Sequence, residues 1–442
     1  MTTAAIQSQL SQRKIYQTWW PLAASWLLMG LELPILSAVV ARLADPEIHL
    51  AAYGGVVFPV ALLIESPIIM LLAASTALSK DWPSYLKLRR FMAISGFALT
   101  TLHALVAFTP LYDWLVIPAF NPPQEIVEPA RLGLMIMTPW TWSIAYRRFQ
   151  QGLLIRFGRS RIVTQGTMVR LLIIIGGLGI GYAMHRVAGI AVATSAIASA
   201  VVAEAVYIGW RKRTVMDRLK AAPRVNPPLT TRAFGRFYLP LALTELLGLL
   251  TFPLSTAAIS RMPQPLESLA VWPVLSGLLF LITSIGIAYN EVVVALLDEA
   301  GSVRALRRFA WTLAAAMTLF LTLVTATPLS GLWLERLSAL SPALAALAHG
   351  ALWFALVQPG INVIRMWFQG SLIYGQKTRP VTEAVLFFLG GSALVLLLGT
   401  MWGNWPGAYV GQAAFLTGAV AEALWLRGRS FSHIQALERA QS

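Results

Sequence analysis

The sequence predicts an all-α integral membrane protein of twelve transmembrane helices, arranged as two pseudo-symmetric six-helix lobes around a central cavity. Three observations predict this class: the composition, a series of apolar stretches and an internal repeat. Of the 442 residues, 57% are hydrophobic and 12% are charged, whereas soluble domains carry about 25% charged residues. The mean hydropathy is +0.67. A chain this apolar could not cover a water-exposed surface, so we expect it to lie in a bilayer.

Each predicted helix is an apolar stretch long enough to cross the hydrocarbon core, which takes about 20 residues. The twelve stretches are 18–43, 50–78, 91–112, 131–157, 162–184, 188–210, 235–261, 268–298, 305–327, 343–374, 380–402 and 406–426. Prolines inside several stretches predict kinks or breaks, because proline frees a backbone carbonyl. These prolines are Pro34, Pro67, Pro139, Pro253 and Pro359.

The stretches divide the chain into two lobes and three polar segments. The N-lobe covers residues 18–210 and the C-lobe covers residues 235–426. A basic linker at 211–234 joins them, and the polar tails are residues 1–17 and 427–442. The first tail leads into a full-length span, so we expect an uncleaved first helix rather than a signal peptide.

The two lobes are copies of one unit. Arg147 and Gln151 align with Arg365 and Gln369, each pair lying 218 residues apart. The same offset aligns two further segments, Arg89-Arg90-Phe91 with Arg307-Arg308-Phe309 and Ala203-Glu204-Ala205 with Ala421-Glu422-Ala423. A duplicated membrane unit is typical of secondary transporters, in which two lobes face each other across a pathway.

The distribution of charge predicts the orientation of the chain. The net charge is +15, and the basic residues are concentrated in alternate loops, in the central linker and in the tails. This pattern is the orientation signal of membrane proteins, so both termini and the linker are predicted to be cytoplasmic. We therefore expect a multi-pass protein of the cell membrane, the bacterial inner membrane, that binds no nucleic acid and is a monomer.

The sequence lacks the patterns of a membrane enzyme or a metal protein. It contains no cysteine and no Walker A, HExxH, GxSxG or CxxC motif. The five histidines lie far apart, and no two have metal-ligand spacing. They are His49, His103, His185, His349 and His433. We therefore predict no catalytic residue, no metal site and no cofactor.

Ionisable residues inside predicted spans are the candidates for function, because a charge there costs about 2.5–3.5 kcal/mol or more. Burial makes a carboxylate easier to protonate near neutral pH, so glutamates in the spans suit coupling to a proton or sodium gradient. The coupling candidates are Glu32, Glu245 and Glu65. The planar guanidinium of arginine matches carboxylate and phosphate groups. The candidates for binding an anionic substrate are Arg147, Arg170, Asn290, Glu291 and Arg365.

The repeat separates structural charges from functional ones. Arg147 with Arg365, and Glu204 with Glu422, recur in both halves, which favours a shared pair between the fourth and sixth helix of each lobe. The predicted structural charges are Arg148, Glu204, Glu383 and Glu422. Glu32, Glu245 and Arg170 instead align with Thr251, Trp26 and Phe388, and this asymmetry is what a substrate site would require.

Several segments resemble the multidrug/oligosaccharidyl-lipid/polysaccharide (MOP) flippase superfamily, which includes the MATE exporters, and within it the progressive ankylosis (ANK-type) transporters. The segments are GLELPILSAVVARLADPEIHLAAYG around Glu32, YNEVVVALLD around Glu291, IRMWFQGSLIYGQKTRPVT after Arg365, and the region of Glu422. The resemblance implies export of a small anion such as citrate, a nucleotide or pyrophosphate, with those four residues at functional positions. It also implies cation coupling through carboxylates of the first or seventh helix, where this chain has Glu32 and Glu245 but lacks the more usual aspartate.

Four functions are consistent with these features. The first is a secondary active transporter that exports a small organic ion, an anion in our reading, by alternating access. A MATE-like multidrug exporter and a flippase for a lipid-linked saccharide are alternatives within the same superfamily. A membrane-embedded transferase is an alternative of another class, but it predicts a large extramembrane loop or an interfacial His/Asp cluster, and the sequence shows neither.

Overall fold

The structure is a computed structural model that describes residues 10–184, 186–375, 377 and 379–441. These residues form helices and connecting segments, and no β-strand is found among them. The first nine residues of the predicted N-terminal tail and His185 lie outside the described residues. The predicted all-helical class is therefore confirmed for the part of the chain that the structure describes.

The described residues contain, with shorter helical segments between some of them, twelve long helical segments in the order that the sequence predicts. Their bounds are Gln12–Val40 (α1), Pro46–Leu78 (α2), Trp82–Phe108 (α3), Gln124–Arg156 (α4), Ser160–Met184 (α5), Gly189–Arg211 (α6), Thr231–Ile259 (α7), Pro265–Leu296 (α8), Ser302–Ala326 (α9), Pro342–Trp353 with Gln358–Tyr374 (α10), Arg379–Trp402 (α11) and Gly407–Gln441 (α12). A short helix, Arg213–Ala221, lies in the linker.

Not every segment is apolar enough to be assigned to the membrane by composition. Within the described ranges, nine segments have the length and hydropathy of a span, and α10 makes ten if its two halves form one span. The remaining two, α4 and α12, carry more charged residues, among them Arg147, Arg148 and Glu422. The count of twelve spans therefore stays a prediction.

Helix breaks recur at equivalent positions of the repeat. α1 is interrupted at Leu31 and α7 at Leu250, whereas α2 is interrupted at Met70 and α8 at Ala288. The first pair of breaks is separated by 219 residues and the second by 218, which are the offsets of the sequence repeat. The duplication seen in the sequence is therefore also present in the backbone.

Two predicted prolines explain the first pair of breaks. Proline lacks the N–H that would bond to the carbonyl four residues earlier, and its ring clashes with that carbonyl. For Pro34 and Pro253 the affected carbonyls belong to Gly30 and Leu249, directly before the breaks. Pro139 has no such effect, because α4 continues through it without interruption.

The helices group into two compact units. The N-terminal unit is Ile35–Pro273, and the C-terminal unit contains described residues 10–34 and 274–441. These units differ from the lobes predicted from the repeat, because the start of α1 packs in the C-terminal unit and α7 packs in the N-terminal unit. The grouping reflects helix contacts, whereas the predicted lobes of residues 18–210 and 235–426 reflect sequence duplication, so the lobe boundaries stay a prediction.

A glycine contact is repeated in the two units. In the N-terminal unit, a Cβ on Gly152 of α4 would lie 2.7 Å from the Cβ of Ser75 in α2. In the C-terminal unit, a Cβ on Gly370 of α10 would lie 2.8 Å from the Cβ of Val293 in α8. Both distances are too short for a real side chain, so these glycines allow the helix backbones to approach closely. The repeated motif around Gln151-Gly152 and Gln369-Gly370 thus has a packing function.

Asp81 joins α3 to the linker in the N-terminal unit. Its Oδ1 accepts a hydrogen bond from the Ser84 backbone N–H at 3.1 Å, and its Oδ2 accepts one from the Val225 N–H at 3.0 Å. The first bond caps the exposed donors at the start of α3. Burial alone would raise the pKa of Asp81, but the hydrogen bonds from Ser84 and Val225 together lower it below the usual value.

We expect Asp81→Asn to lower the free energy of unfolding by about 1 kcal/mol at neutral pH, because the cap loses its charge. A depressed folded pKa stabilises the protein above the unfolded pKa, and this contribution disappears as the pH falls through the folded pKa. The difference in melting temperature between wild type and Asp81→Asn in detergent should therefore shrink below about pH 4. The control is Asp217→Asn in the exposed linker helix, and a pH-independent difference for Asp81→Asn would contradict the prediction.

Candidate functional site

Arg147 of α4 and Glu204 of α6 form a buried ion pair in the N-terminal unit. Arg147 Nη1 lies 2.5 Å from Glu204 Oε2, and the two side chains are 6% and 0% exposed. Gln151 Nε2 donates a hydrogen bond of 2.9 Å to the other carboxylate oxygen. Arg147 and Gln151 are one helical turn apart, so both reach the same carboxylate. Glu204 is thus a buried charge with both oxygens satisfied.

The C-terminal unit contains the equivalent pair. Arg365 Nη1 of α10 lies 2.5 Å from Glu422 Oε2 of α12, and Arg365 Nη2 donates to Asn362 Oδ1 at 2.7 Å. This pair is less buried, since 22% of the Arg365 side chain is exposed. Its recurrence at the repeat offset fits a structural role, because both halves need the same connection between their fourth and sixth helices.

The N-terminal unit adds a second arginine to this carboxylate. Arg170 Nε of α5 lies 3.5 Å from Glu204 Oε2, so Glu204 faces two guanidinium groups. The repeat places Phe388 at the position equivalent to Arg170, and the C-terminal half has no such group there. The asymmetry that the sequence predicts is therefore located around Glu204.

Three further charges lie near this pair without a direct partner. They are Glu65 of α2, Arg148 of α4 and Glu245 of α7. Among the described residues, none of the three makes a hydrogen bond or an ion pair through its side chain, and Glu65 is only 4% exposed. They do interact electrostatically: Glu65 is attracted to Arg148 and Arg147 and repelled by Glu245. Arg148 is repelled by Arg147 and Arg170 and attracted to Glu65 and Glu204.

These residues form one group, which we call the N-terminal charge cluster. Its members are Glu65, Arg147, Arg148, Arg170, Glu204 and Glu245. When all are ionised, three negative and three positive charges balance. If Glu65 or Glu245 took up a proton, the net charge of the cluster would become positive. Charges at membrane depth that are not held in direct pairs are typical of ion pathways and binding sites.

Gln150 is a polar residue that our sequence reasoning did not identify. Its side chain is fully buried, and neither amide atom has a hydrogen-bond partner among the described residues. Most buried amides are hydrogen-bonded. A buried amide without a hydrogen-bond partner, two residues after Arg148, therefore indicates a polar region here. The Gln150-Gln151 pair inside a predicted span was the available signal.

The other predicted site residues are distributed over the C-terminal unit. Glu32 is half-buried and follows directly on the break at Leu31. Asn290 is half-buried with an unsatisfied Oδ1, and its neighbour Glu291 is exposed. Glu383 is held by two arginines, Arg379 at the start of α11 at 3.0 Å and Arg429 of α12 at 3.2 Å.

Arg148 differs from our expectation of a structural pair. No carboxylate among the described residues lies within ion-pair distance of it, since Glu204 is taken by Arg147 and Arg170. The physical reason is helical rotation: Arg147 and Gln151 share one face, and Arg148 is turned about 100° away from Arg147. The described residues also contain no group of histidine, aspartate and glutamate that could hold a metal ion.

Solved transporter structures share this fold. An inward-facing multidrug resistance MATE family transporter of the MOP superfamily matches with a TM-score of 0.72 at 14% identity, covering 96% of this chain and 99% of that chain. The MATE transporter VcmN of Vibrio cholerae matches with a TM-score of 0.65 at 17% identity, covering 95% and 97%. The lipid II flippase MurJ, in an inward closed conformation, matches with a TM-score of 0.66 at 13% identity, covering 94% and 90%.

These matches confirm the predicted fold class. The chain has the fold of MATE and other MOP-superfamily transporters over nearly its whole length. No protein-family model matches the sequence, and no curated protein is significantly similar to it. The identities of 13–17% make this a likeness of fold, so activity has to be argued from the residues of this chain.

Proposed function

We propose that this protein is a secondary active transporter of the cell membrane that exports a small organic anion by alternating access coupled to an ion gradient. The shared fold with transporters and a flippase supports movement of a solute or lipid rather than chemistry on it. The observation that carries the proposal is the group of Glu65, Arg148 and Glu245, which are charged and lack direct partners among the described residues. Glu65 and Glu245 lie in helices with the length and hydropathy of a membrane span.

In this proposal the arginines of the charge cluster attract the substrate. Arg148 is the main candidate, because its guanidinium is permanently charged and pairs with no carboxylate of the described residues. Arg147 and Arg170 add positive charge but are engaged by Glu204. Arg365, Asn290 and Glu291 are the corresponding candidates of the C-terminal half. The chemistry fits an anion with carboxylate or phosphate groups, of the citrate, nucleotide or pyrophosphate class that the ANK-type resemblance implies.

The glutamates couple transport to a proton or sodium gradient. An ionised Glu65 balances Arg148 when no anion is present, and a protonated Glu65 leaves that charge available to the anion. Glu245 acts on the same group, as its electrostatic interaction with Arg148 supports. Glu32 is a third coupling candidate, located at the break of α1.

The test is transport by the purified protein in proteoliposomes. With a proton or sodium gradient imposed, we expect accumulation of labelled citrate above that of protein-free vesicles and no accumulation of a lipophilic cation. The same vesicles with both gradients collapsed by ionophores are the control. Accumulation of the lipophilic cation alone would overturn the anion proposal in favour of a MATE-like multidrug exporter.

A flippase for a lipid-linked saccharide is the second candidate function, and the fold likeness to MurJ favours it. A flippase moves a lipid whose tails stay in the bilayer, so its substrate is delivered from the membrane rather than from water. Fluorescent lipid-linked saccharide in the same proteoliposomes separates the two functions. Protection of the headgroup from an external quencher, without citrate uptake, would favour the flippase.

A further inference from the structure

The break in α8 at Ala288 has no proline within a turn of it, unlike the breaks in α1 and α7. Two side chains of the C-terminal unit instead donate hydrogen bonds to carbonyls directly before it. Trp19 Nε1 of α1 donates to the Ile285 carbonyl at 3.1 Å, and Asn362 Nδ2 of α10 donates to the Thr283 carbonyl at 3.2 Å. A side chain that inserts into the hydrogen-bond ladder of a helix bends or breaks it. These two donors therefore account for the break.

The contact of Trp19 recurs in the N-terminal unit. The residue equivalent to Trp19 at the 219-residue offset is Tyr238, whose hydroxyl donates a hydrogen bond to the Pro67 carbonyl. Pro67 is equivalent to Ile285 at the 218-residue offset, and each of these carbonyls lies three residues before the break of its helix. Both halves therefore bind a broken helix with an aromatic donor, so this contact belongs to the architecture that the halves share.

The contact of Asn362 has no equivalent in the N-terminal half. The positions equivalent to Asn362 and Gly286 are Ile144 and Ile68, whose side chains form no hydrogen bonds. Gly286 makes room for α10, because a Cβ there would lie 2.8 Å from Val363 Cγ2 and 3.2 Å from Asn362 Nδ2. The C-terminal half thus has a glycine and an amide where the N-terminal half has two isoleucines. The connection between α8 and α10 through Asn362 is an addition to the shared architecture.

Asn362 also contacts the buried ion pair of the C-terminal unit. Its Oδ1 accepts a hydrogen bond of 2.7 Å from Arg365 Nη2, while Arg365 Nη1 lies 2.5 Å from Glu422 Oε2. Asn362 is only 6% exposed, and both ends of its amide are engaged. A buried amide with both ends engaged has a fixed orientation, because turning it would leave a donor and an acceptor unsatisfied. A continuous series of contacts therefore runs from Glu422 through Arg365 and Asn362 to the break of α8.

We propose that Asn362 is a positioning residue that couples the Arg365–Glu422 pair to the break in α8. A change at the pair, such as an anion that draws Arg365 away from Glu422, shifts the guanidinium that orients the Asn362 amide. The amide then holds the carbonyl of α8 less firmly, and the segment after the break becomes more mobile. That segment begins with Tyr289 and carries Asn290 and Glu291. The role builds on the proposed function, in which Arg365, Asn290 and Glu291 are binding candidates, but the coupling itself is present without substrate.

Hydrogen–deuterium exchange of the detergent-purified protein, with no substrate present, tests the coupling separately from transport. The readout is the exchange of peptides that cover the break, residues 284–292. We expect Glu422→Gln to speed this exchange about fivefold, the effect of weakening one hydrogen bond. In an Asn362→Leu background the same substitution should have no further effect, because the connection to α8 is already lost. An equal effect of Glu422→Gln with and without Asn362 would overturn the proposal.

Three further variants separate this coupling from a general loss of stability. Asn362→Asp keeps the shape and the acceptor for Arg365 but removes the donor to α8, so it should abolish the response to Glu422→Gln as Asn362→Leu does. Trp19→Phe removes the other donor to α8 and should keep that response. Glu383→Gln, which changes a carboxylate held by two other arginines, should leave exchange at the break unchanged. A response retained in Asn362→Asp, lost in Trp19→Phe or reproduced by Glu383→Gln would mean that the break reports overall stability and that Asn362 transmits nothing.

Discussion

Glu65→Gln is expected to abolish gradient-driven transport of the anion in proteoliposomes while the protein remains folded. Glutamine has nearly the same shape, and Glu65 has no hydrogen-bond or ion-pair partner among the described residues, so no direct contact is broken. What is lost, in the proposed mechanism, is the proton-exchanging group that interacts electrostatically with Arg148. The loss of a positioned proton-exchanging group typically reduces a rate by about 100-fold or more. The measurement is initial uptake of labelled citrate driven by a proton gradient.

The matched control is Glu383→Gln. It makes the same chemical change in a carboxylate that is held by two arginines, one of α11 and one of α12. We expect this variant to transport at close to the wild-type rate. Arg148→Gln should lose citrate binding as well as uptake, because it removes the cation rather than the coupling group. Wild-type uptake by Glu65→Gln, or an equal loss in Glu383→Gln, would remove Glu65 from the coupling mechanism.

Glu204→Gln is expected to have the largest effect on stability. The substitution removes the charge that compensates Arg147 and Arg170, at a side chain that is 0% exposed. Removing one partner of a buried ion pair costs about 3–5 kcal/mol, because the remaining charge is left in a poorly solvated place. We expect a large fall in melting temperature in detergent, together with a lower yield of monodisperse protein.

The repeat supplies the control for this prediction. Glu422→Gln makes the same change in the C-terminal unit, in a pair of the same 2.5 Å length. Its effect should be smaller, because Glu422 compensates one arginine among the described residues, and the Arg365 side chain is 22% exposed. Replacing Arg147 by methionine in the Glu204→Gln background should recover part of the stability, since one of the two arginines that Glu204 compensates is then removed. An equal loss in Glu422→Gln and Glu204→Gln would contradict this account of burial.

The sequence predicted the fold because hydropathy and duplication are long-range signals. Each helix covers about 20 or more positions, so a few polar residues do not hide its hydropathy. The 218-residue offset pairs equivalent residues of the two halves, and the Gly152 and Gly370 contacts show this equivalence in the structure. The predicted link between the fourth and sixth helices of each lobe depended on the same offset. It identified Arg147 with Glu204 and Arg365 with Glu422, and both pairs are present at 2.5 Å.

The details of the charge cluster could not be predicted from the sequence. The adjacent arginines at positions 147 and 148 look equivalent in the sequence, but it is Arg147 that forms the ion pair with Glu204 of α6. The spacing to Gln151 could have shown which one, because residues four apart share a helix face. The unsatisfied amide of Gln150 could not be predicted, since whether a buried group finds a partner depends on how neighbouring helices pack.

The interruptions of α1, α2, α7 and α8 have a mechanical consequence. A helix interrupted at one residue behaves as two stiff rods joined at a compliant point, so thermal bending is concentrated there. Leu31 is equivalent to Leu250, and Met70 is equivalent to Ala288. The gene duplication therefore produced these flexible points in pairs.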